Sequence, residues 1–180
     1  MKKLESTLTD PAARASSDDW KKAIKGLDAI DPGVVHHRVV ERLASGDWAG
    51  SRVKIAVVHH PISPVITDHS VTPYNGLINA AAVKNALLRS KVSLVLHGHL
   101  HTGWFGSESW PDQHGNRRRL NIASWPSLGS SYNPGGNGFQ SIELLQEGDR
   151  SKFRVQRYIN SGEDWQPSGT ALCFDASDGC

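Results

Sequence analysis

The most constraining feature of this 180-residue chain is a pair of short apolar runs that each lead into histidines. Residues 53–58 (VKIAVV) lead into 59–61 (HHP), and residues 92–96 (VSLVL) lead into 97–101 (HGHLH). Because both runs are short and rich in valine, isoleucine and leucine, they predict buried strands. An amphipathic helix predicted over 79–89 lies between them, as in a parallel βαβ pair. Parallel strands end at one sheet edge, so we expect the histidines to gather there.

The rest of the chain predicts an α/β fold with a mixed β-sheet and flanking helices. Residues 34–43 suit a further helix, which would end at a serine and a glycine. Residues 120–124, 138–145 and 153–159 read as successive strands, and the last two alternate apolar and polar residues as an antiparallel meander does.

Composition divides the chain into three parts. Residues 1–19 are polar and rich in small residues, and residues 161–180 are similar, so we expect a flexible start and a flexible tail around a folded body over 20–160. Cys173 and Cys180 are the only cysteines and lack the spacing of a thiolate zinc site, so they could pair or stay free.

Charge and hydropathy exclude several classes of partner. The formal net charge of +2 is too small to predict a nucleic-acid or membrane partner. There is no apolar run of membrane-spanning length and no apolar signal-peptide region at the N-terminus, so we expect a cytoplasmic protein. Three tryptophans, Trp104, Trp110 and Trp125, are interpreted as rim packing in loops, and 117–119 (RRR) as a solvated turn.

Histidines at two strand ends point to metal chemistry. Neutral imidazole is the commonest protein ligand for metals, and a His-x-His sequence can direct two rings at one ion. We interpret Gly98, between two histidines, as allowing close approach of the backbone or a metal. A histidine at a strand end can equally be a hydrogen-bonded polar residue, but several from two strands at one edge favour metal binding.

The same segments resemble a known family. The strand followed by HHP at 59–61, and the stretch 92–101 ending in GHLH, resemble the C-terminal half of the calcineurin-like metallophosphoesterases. Residues 122–129 and 138–144 look like that family's closing strands, so the resemblance covers roughly 50–160. It implies part of a layered αββα-type domain and divalent metal ions (Mn, Fe or Zn), binuclear in a complete domain.

The resemblance also implies roles for single residues. His59 and His99 would ligate one metal, and His101 would ligate the other. His60 and His97 would line the substrate site or orient their neighbours. The implied activity is hydrolysis of a phosphomonoester or phosphodiester by metal-activated hydroxide.

Earlier motifs of that family are missing from the chain. No Asp-x-His precedes the first apolar run, and the chain has no Gly-Asp-x-x-Asp and no Gly-Asn-His; these motifs would supply a bridging carboxylate and a general acid. We therefore expect a truncated or split form with weak or no activity alone. The expected partners are a phosphate-ester substrate and either a complementary N-terminal half or, through an unpaired strand edge, a second copy of the chain.

Two other functions stay open at this point. The chain could be a non-catalytic metal-binding protein or a structural partner half. Less in keeping with the sequence, His97, His99 and His101 resemble the alternating triad of nucleotide hydrolases, although Gly98 stands where that triad wants an apolar residue.

Overall fold

The first sheet of the computed structural model confirms the predicted parallel pair. Its strands are β1 (Ile55–Val58), β2 (Leu94–His97), β3 (Trp104–Pro111) and β4 (Arg117–Ser124), in the order β1-β2-β4-β3. Strands β1, β2 and β4 are parallel, with Val58 opposite His97 and His97 opposite Ser124, while β3 is antiparallel to β4. The sheet is therefore mixed, as predicted, and its three parallel strands end at one edge.

The described part of the chain comprises residues 33–45, 53–65, 76–111, 115, 117–129 and 136–176, all within the unit Gly33–Cys180. The flexible start predicted for residues 1–19 lies outside these residues. No helix in the described part is long and apolar enough to cross a membrane.

Two helices, α1 (His37–Ala44) and α2 (Ala80–Arg89), confirm the predicted helical segments. Helix α2 buries one face through Val83, Ala86, Leu87 and Leu88. Asn79 precedes α2 and joins the two segments, because its side chain accepts a hydrogen bond from Val35 N (3.2 Å) and donates one to Val35 O (2.7 Å). These bonds hold Val35 outside α1, which is consistent with a helix that begins at His37.

A second sheet follows in the chain and is wholly antiparallel. Its strands are β5 (Gly138–Glu147), β6 (Arg150–Asn160), β7 (Trp165–Pro167) and β8 (Leu172–Asp175). Strand β6 pairs with β5 on one side and with β7 and β8 on the other. Gly148 begins the two-residue turn between β5 and β6 with a φ of 61°, a conformation that glycine adopts at little cost.

Two apolar clusters show how the layers stack. Val95, Leu120 and Ile122 of the first sheet pack with the buried face of α2. Leu94 and Ala123, which alternation places on the opposite face, pack with Phe153 of the second sheet. The layers therefore run helices, mixed sheet, antiparallel sheet, with the mixed sheet in the middle.

Strand β3 corrects two interpretations of the sequence. Trp104 and Trp110 lie in this strand rather than in loops, and 117–119 opens β4 rather than forming a solvated turn. Trp110 faces Arg118 across the pair. The segment has few of the aliphatic residues that mark a buried strand, so cross-strand pairing with β4 determines its conformation.

The last described residues carry more structure than their composition suggests. Composition predicts a flexible tail over 161–180, whereas the structure places β7 and β8 in that range. These strands are held by pairing with β6 and by the contact of Phe174 with Phe153 (ring centroids 5.4 Å apart). Such tertiary contacts cannot be inferred from composition. Cys173 is exposed and free, and Cys180 lies outside the described residues.

Candidate metal centre

Three histidines meet at the carboxyl edge of the mixed sheet. His59 and His60 follow β1, and His99 follows β2. Each offers one ring nitrogen, and these nitrogens all lie within 4.8 Å of one another. His59 Nε2 and His99 Nδ1 are 3.4 Å apart, and the ring centroids of His60 and His99 are 4.4 Å apart. We call His59, His60 and His99 the histidine cluster.

Backbone contacts between the two strand ends bring the cluster together. In-register pairing of β1 with β2 is continued beyond the strands by a hydrogen bond from Gly98 N to His59 O (3.1 Å). Leu100 N then donates to Gly98 O (2.8 Å), which folds the chain tightly around His99. The three rings are therefore fixed to neighbouring backbone segments of one sheet edge.

The turn after β2 holds two histidines in a rare backbone conformation. His99 has a φ of 66° and His101 a φ of 50°. Left-handed backbone costs a residue with a Cβ about 1–2 kcal/mol. The loop is anchored by hydrogen bonds from Thr102 Oγ1 to Leu100 O (3.0 Å) and from Ser124 Oγ to Thr102 O (2.8 Å). Strain of this kind is typical of functional sites, where the surrounding structure enforces it.

Gly33 forms a wall of the cluster that the sequence did not indicate. A Cβ built on Gly33 would overlap the His60 ring and would lie 2.8 Å from Leu77 Cδ2. Hydrogen bonds from Ile78 N to Gly33 O (2.9 Å) and from Leu77 N to Pro61 O (3.0 Å) fix this approach. No local signal in the sequence relates Gly33 to a histidine far along the chain.

Gly98, by contrast, is not required by space. A Cβ there would meet only His59 O, at 4.0 Å, which is ordinary van der Waals contact. Its φ is also outside the left-handed region. The expectation that Gly98 permits close approach of the backbone is therefore wrong, whereas its role in metal approach stays a prediction; at the cluster, Gly33 is a glycine that permits close approach.

The structure separates the five histidines singled out from the sequence. His59 and His99, predicted ligands of one metal, are in the cluster together with His60. His97 and His101 lie outside it. His97 is the last residue of β2, is 5% exposed, and lies beside Trp104, with ring centroids 6.3 Å apart. The ligand and substrate-lining roles that the resemblance implies stay predictions.

Burial alters the chemistry of His97. Desolvation lowers the pKa of its imidazole, and a contact of Nδ1 with the Gly98 carbonyl oxygen (3.3 Å) opposes that shift in part. Its Nε2 is buried without a hydrogen-bond partner. The lowered pKa favours the uncharged form of the ring, which is the form that can be buried between β2 and the helix layer.

The donor set of the cluster limits which metals suit it. Imidazole suits Zn, Cu, Fe and Ni, whereas Mn and Mg favour carboxylate oxygens. Zinc with three histidines and an open fourth position is an established catalytic arrangement. Among the described residues, no other set of three or more histidines, cysteines or carboxylates comes this close together. The donor chemistry of the cluster thus suits one zinc-like ion.

Comparisons with known proteins find a likeness among solved structures. No protein-family model and no curated protein matches the chain. Among solved structures, wild-type Vps29 from Entamoeba histolytica, complexed with Zn²⁺, is similar at 16% sequence identity and a TM-score of 0.29. The match covers 61% of this chain and 52% of that one, so the chain spans about half the length of the structure it matches.

Proposed function

We propose that the chain binds one divalent metal ion through His59, His60 and His99 and uses it to hydrolyse phosphate esters. The carrying observation is that three ring nitrogens lie within 4.8 Å of one another at the carboxyl edge of a parallel sheet. Ligands of α/β sheets gather at that edge. The substrate class comes from the resemblance of the HHP and GHLH segments to metallophosphoesterases. Zinc is the ion that best matches an all-histidine set.

The three cluster residues are uncharged ligands, are reachable from solvent and are held in place by the backbone. Three neutral imidazoles leave the ion's charge uncompensated, which favours an anionic ligand such as a phosphate ester. His59 is exposed, so a substrate can reach the cluster from solvent. Hydrogen bonds around Gly98 and the enforced backbone at His99 hold the rings in place. When bound, such an ion supplies Lewis acidity and a water-derived nucleophile.

We expect the isolated chain to be a slow enzyme. The cluster contains no carboxylate among the described residues, and no general acid for the leaving group is part of it. General acids typically contribute a factor of about 10²–10⁴ to the rate. We propose that a complementary chain or a second copy supplies these groups and, with them, a second metal site that would include His101.

A second candidate is a non-catalytic metal-binding protein, which the all-histidine donor set favours. Such a chain would hold zinc with the same three residues and turn over no ester. The histidine-triad alternative is not proposed, because His97 and His101 lie outside the cluster that contains His99.

Zinc titration of the metal-free chain against a chromophoric chelator tests the ligand set. We expect one zinc per chain. His60→Ala and His99→Ala should each weaken zinc binding by more than about 100-fold. Substituting only the residues that support metal ligands already lowers metal affinity by about 10–100-fold, so loss of a ligand itself should cost more. His101→Ala, outside the cluster, and His37→Ala, exposed on α1, are the controls and should retain binding. Loss in His101→Ala with retention in His60→Ala would overturn the proposed set.

Hydrolysis of p-nitrophenyl phosphate and its bis-ester then separates the two candidates. The enzyme candidate predicts slow, zinc-dependent release of nitrophenol that His99→Ala abolishes. Undetectable turnover by a chain that retains one zinc ion would favour the non-catalytic candidate.

A further inference from the structure

Arg157 occupies a position where the pattern of its strand calls for an apolar residue. Along β6, Phe153 and Val155 are fully buried against the mixed sheet. Strand alternation places Arg157 next on that same inward face. It is half-buried rather than exposed. A charged side chain in the continuation of a core between two sheets needs a reason.

The place of Arg157 is close to the edge that carries the histidine cluster. Arg157 pairs with Gln140 of β5, and Gln140 Nε2 donates to Ser124 O (2.9 Å) at the end of β4. Ser124 pairs in turn with His97 at the end of β2. Neighbouring strands lie about 5 Å apart. These contacts place Arg157 on the side of the second sheet that faces the carboxyl end of β4, which neighbours the end of β2.

Trp125 fixes the guanidinium group. The Arg157 guanidinium carbon lies 5.0 Å from the centre of the Trp125 ring, within cation–π range. The ring itself is immobilised, because its Nε1 donates to Tyr158 O (3.0 Å) and Gly103 and Gly138 leave no space beside it for a Cβ. The cation is thus presented on a rigid platform, with little side-chain freedom left to lose on binding.

Among the described residues, Arg157 also has no anionic partner of the kind that its neighbours have. On the outward face of β6, Lys152 pairs with Glu147 (2.6 Å) and Arg154 pairs with Glu143 (3.4 Å). Within the described residues no carboxylate pairs with Arg157, and its Nε is buried without an acceptor. Burial alone lowers the pKa of its guanidinium. A partly desolvated, rigidly held guanidinium that pairs with no carboxylate among the described residues has N–H groups ready to donate to an oxyanion.

We propose that Arg157, held by Trp125, binds a phosphate oxygen of the substrate at the edge that carries the histidine cluster. The substrate class rests on the proposed function, but oxyanion binding by Arg157 does not require a metal. The planar guanidinium offers Nη–H donors in the fork geometry that phosphate oxygens match. Arg157 is on this view a substrate-binding residue, distinct from the metal ligands.

Calorimetric titration of the metal-free full chain with inorganic phosphate tests the proposal. We expect saturable binding that Arg157→Gln weakens by about tenfold or more, the typical loss for one charge-assisted partner. The matched control is Arg154→Gln, which removes the same charge from the outward face of the same strand and should leave affinity within about twofold. Equal losses in both variants, or no saturable binding by the unmodified chain, would overturn it.

Two further variants keep the result interpretable. Arg157→Lys retains the charge but loses the fork, so it should fold and still bind phosphate more weakly than the unmodified chain. Full affinity in Arg157→Lys would mean that only charge matters and would contradict the geometric argument. His99→Ala should lose zinc yet keep phosphate binding. Loss of phosphate binding there would overturn the role of Arg157 while leaving the proposed metal site intact.

Discussion

Gly33 controls the position of His60 by having no side chain. Its backbone runs against the imidazole, so that any Cβ would overlap the ring, and a bridge to Leu77 holds it there. His60 cannot rotate toward this wall, and the limit on its rotamers helps to keep its ring near His99. Gly33 thus helps to set the position of one proposed ligand ring, although it contributes no ligand atom to the cluster itself.

We predict that Gly33→Ala lowers both zinc affinity and stability. Overpacking of this kind costs about 1–3 kcal/mol, and displacement of the His60 ring should weaken zinc binding by about tenfold. Chemical denaturation and zinc titration measure the two effects. Gly129→Ala is the matched control, since a Cβ at Gly129 would meet nothing within 4 Å.

The double variant Gly33→Ala/His60→Ala identifies the contact responsible. If the ring is the obstacle, the stability penalty of Gly33→Ala should shrink once the ring is removed, leaving the smaller share due to Leu77. An unchanged penalty in the double variant would show that His60 is not what Gly33 accommodates.

The sequence predicts only the part of the cluster that follows from where the parallel strands end. Apolar runs located the ends of β1 and β2, and parallel pairing brought His59 near His99 as expected. His97 lies outside the cluster because it still belongs to β2 and is buried there. The exclusion of His101 depended on where the chain turns after β2, and no periodicity encodes that turn. The contact of Gly33 with His60 depended on packing between distant segments, which sequence spacing does not reveal.

At the scale of elements, one carboxylate ties edge strand β3 to helix α2. Glu108 Oε2 accepts from Lys84 Nζ (2.9 Å) and Trp110 Nε1 (3.1 Å), and the Lys84 ammonium lies 5.6 Å from the centre of a Trp110 ring. Burial raises the pKa of Glu108, but the Ser63 hydroxyl, Lys84 and Trp110 together outweigh it and hold that pKa below its ordinary value of 4.5. Ser63 acts as a nearby dipole, since its oxygen makes no hydrogen bond of ordinary geometry.

We predict that Glu108→Gln destabilises the chain by roughly 1 kcal/mol at pH 7 and by progressively less in acid. Because the folded-state pKa is depressed, the stabilisation is fully present above pH 4.5 and is lost as pH falls through the folded-state value. Urea unfolding of both proteins from pH 7 to pH 3 measures the difference. Glu143→Gln, which removes an exposed pair with Arg154, should cost less at pH 7. A difference for Glu108→Gln that does not change with pH would contradict the prediction.

Most strands were predictable in proportion to their apolar content; β8 is the exception, since it is largely apolar and yet falls in the range predicted as a flexible tail. Strands β1, β2 and β4 belong to the mixed sheet, the middle layer, and are rich in aliphatic residues. The sequence therefore located each of them. Strands β3 and β7 are short of such residues and exist by pairing with a neighbour, β4 or β6. Their stability is a tertiary effect, so a reading of local composition assigned them to loops or a flexible tail.

At the scale of the whole molecule, the mixed sheet is unevenly covered. The second sheet packs over Leu94 of β2, but Ile55 and Val57, which share that face on β1, are 46% and 77% exposed. In the described part of the chain β1 is also an edge of its sheet. Exposed apolar side chains on an unpaired edge strand favour pairing with another chain. His59 directly follows β1, so a strand paired there would end beside the histidine cluster.

We therefore predict that the isolated chain self-associates through β1 and that Val57→Lys suppresses this association. A lysine on an edge strand opposes pairing with a second strand, because its charge would have to be desolvated. Light scattering and sedimentation over a concentration series measure the effect. Val39→Lys, at a half-exposed position on α1 rather than on a strand, is the control and should associate as the unmodified chain does. Equal suppression by both lysines would assign the effect to net charge, whereas suppression by Val57→Lys alone would identify β1 as the pairing edge and support a partner that completes the site beside His59.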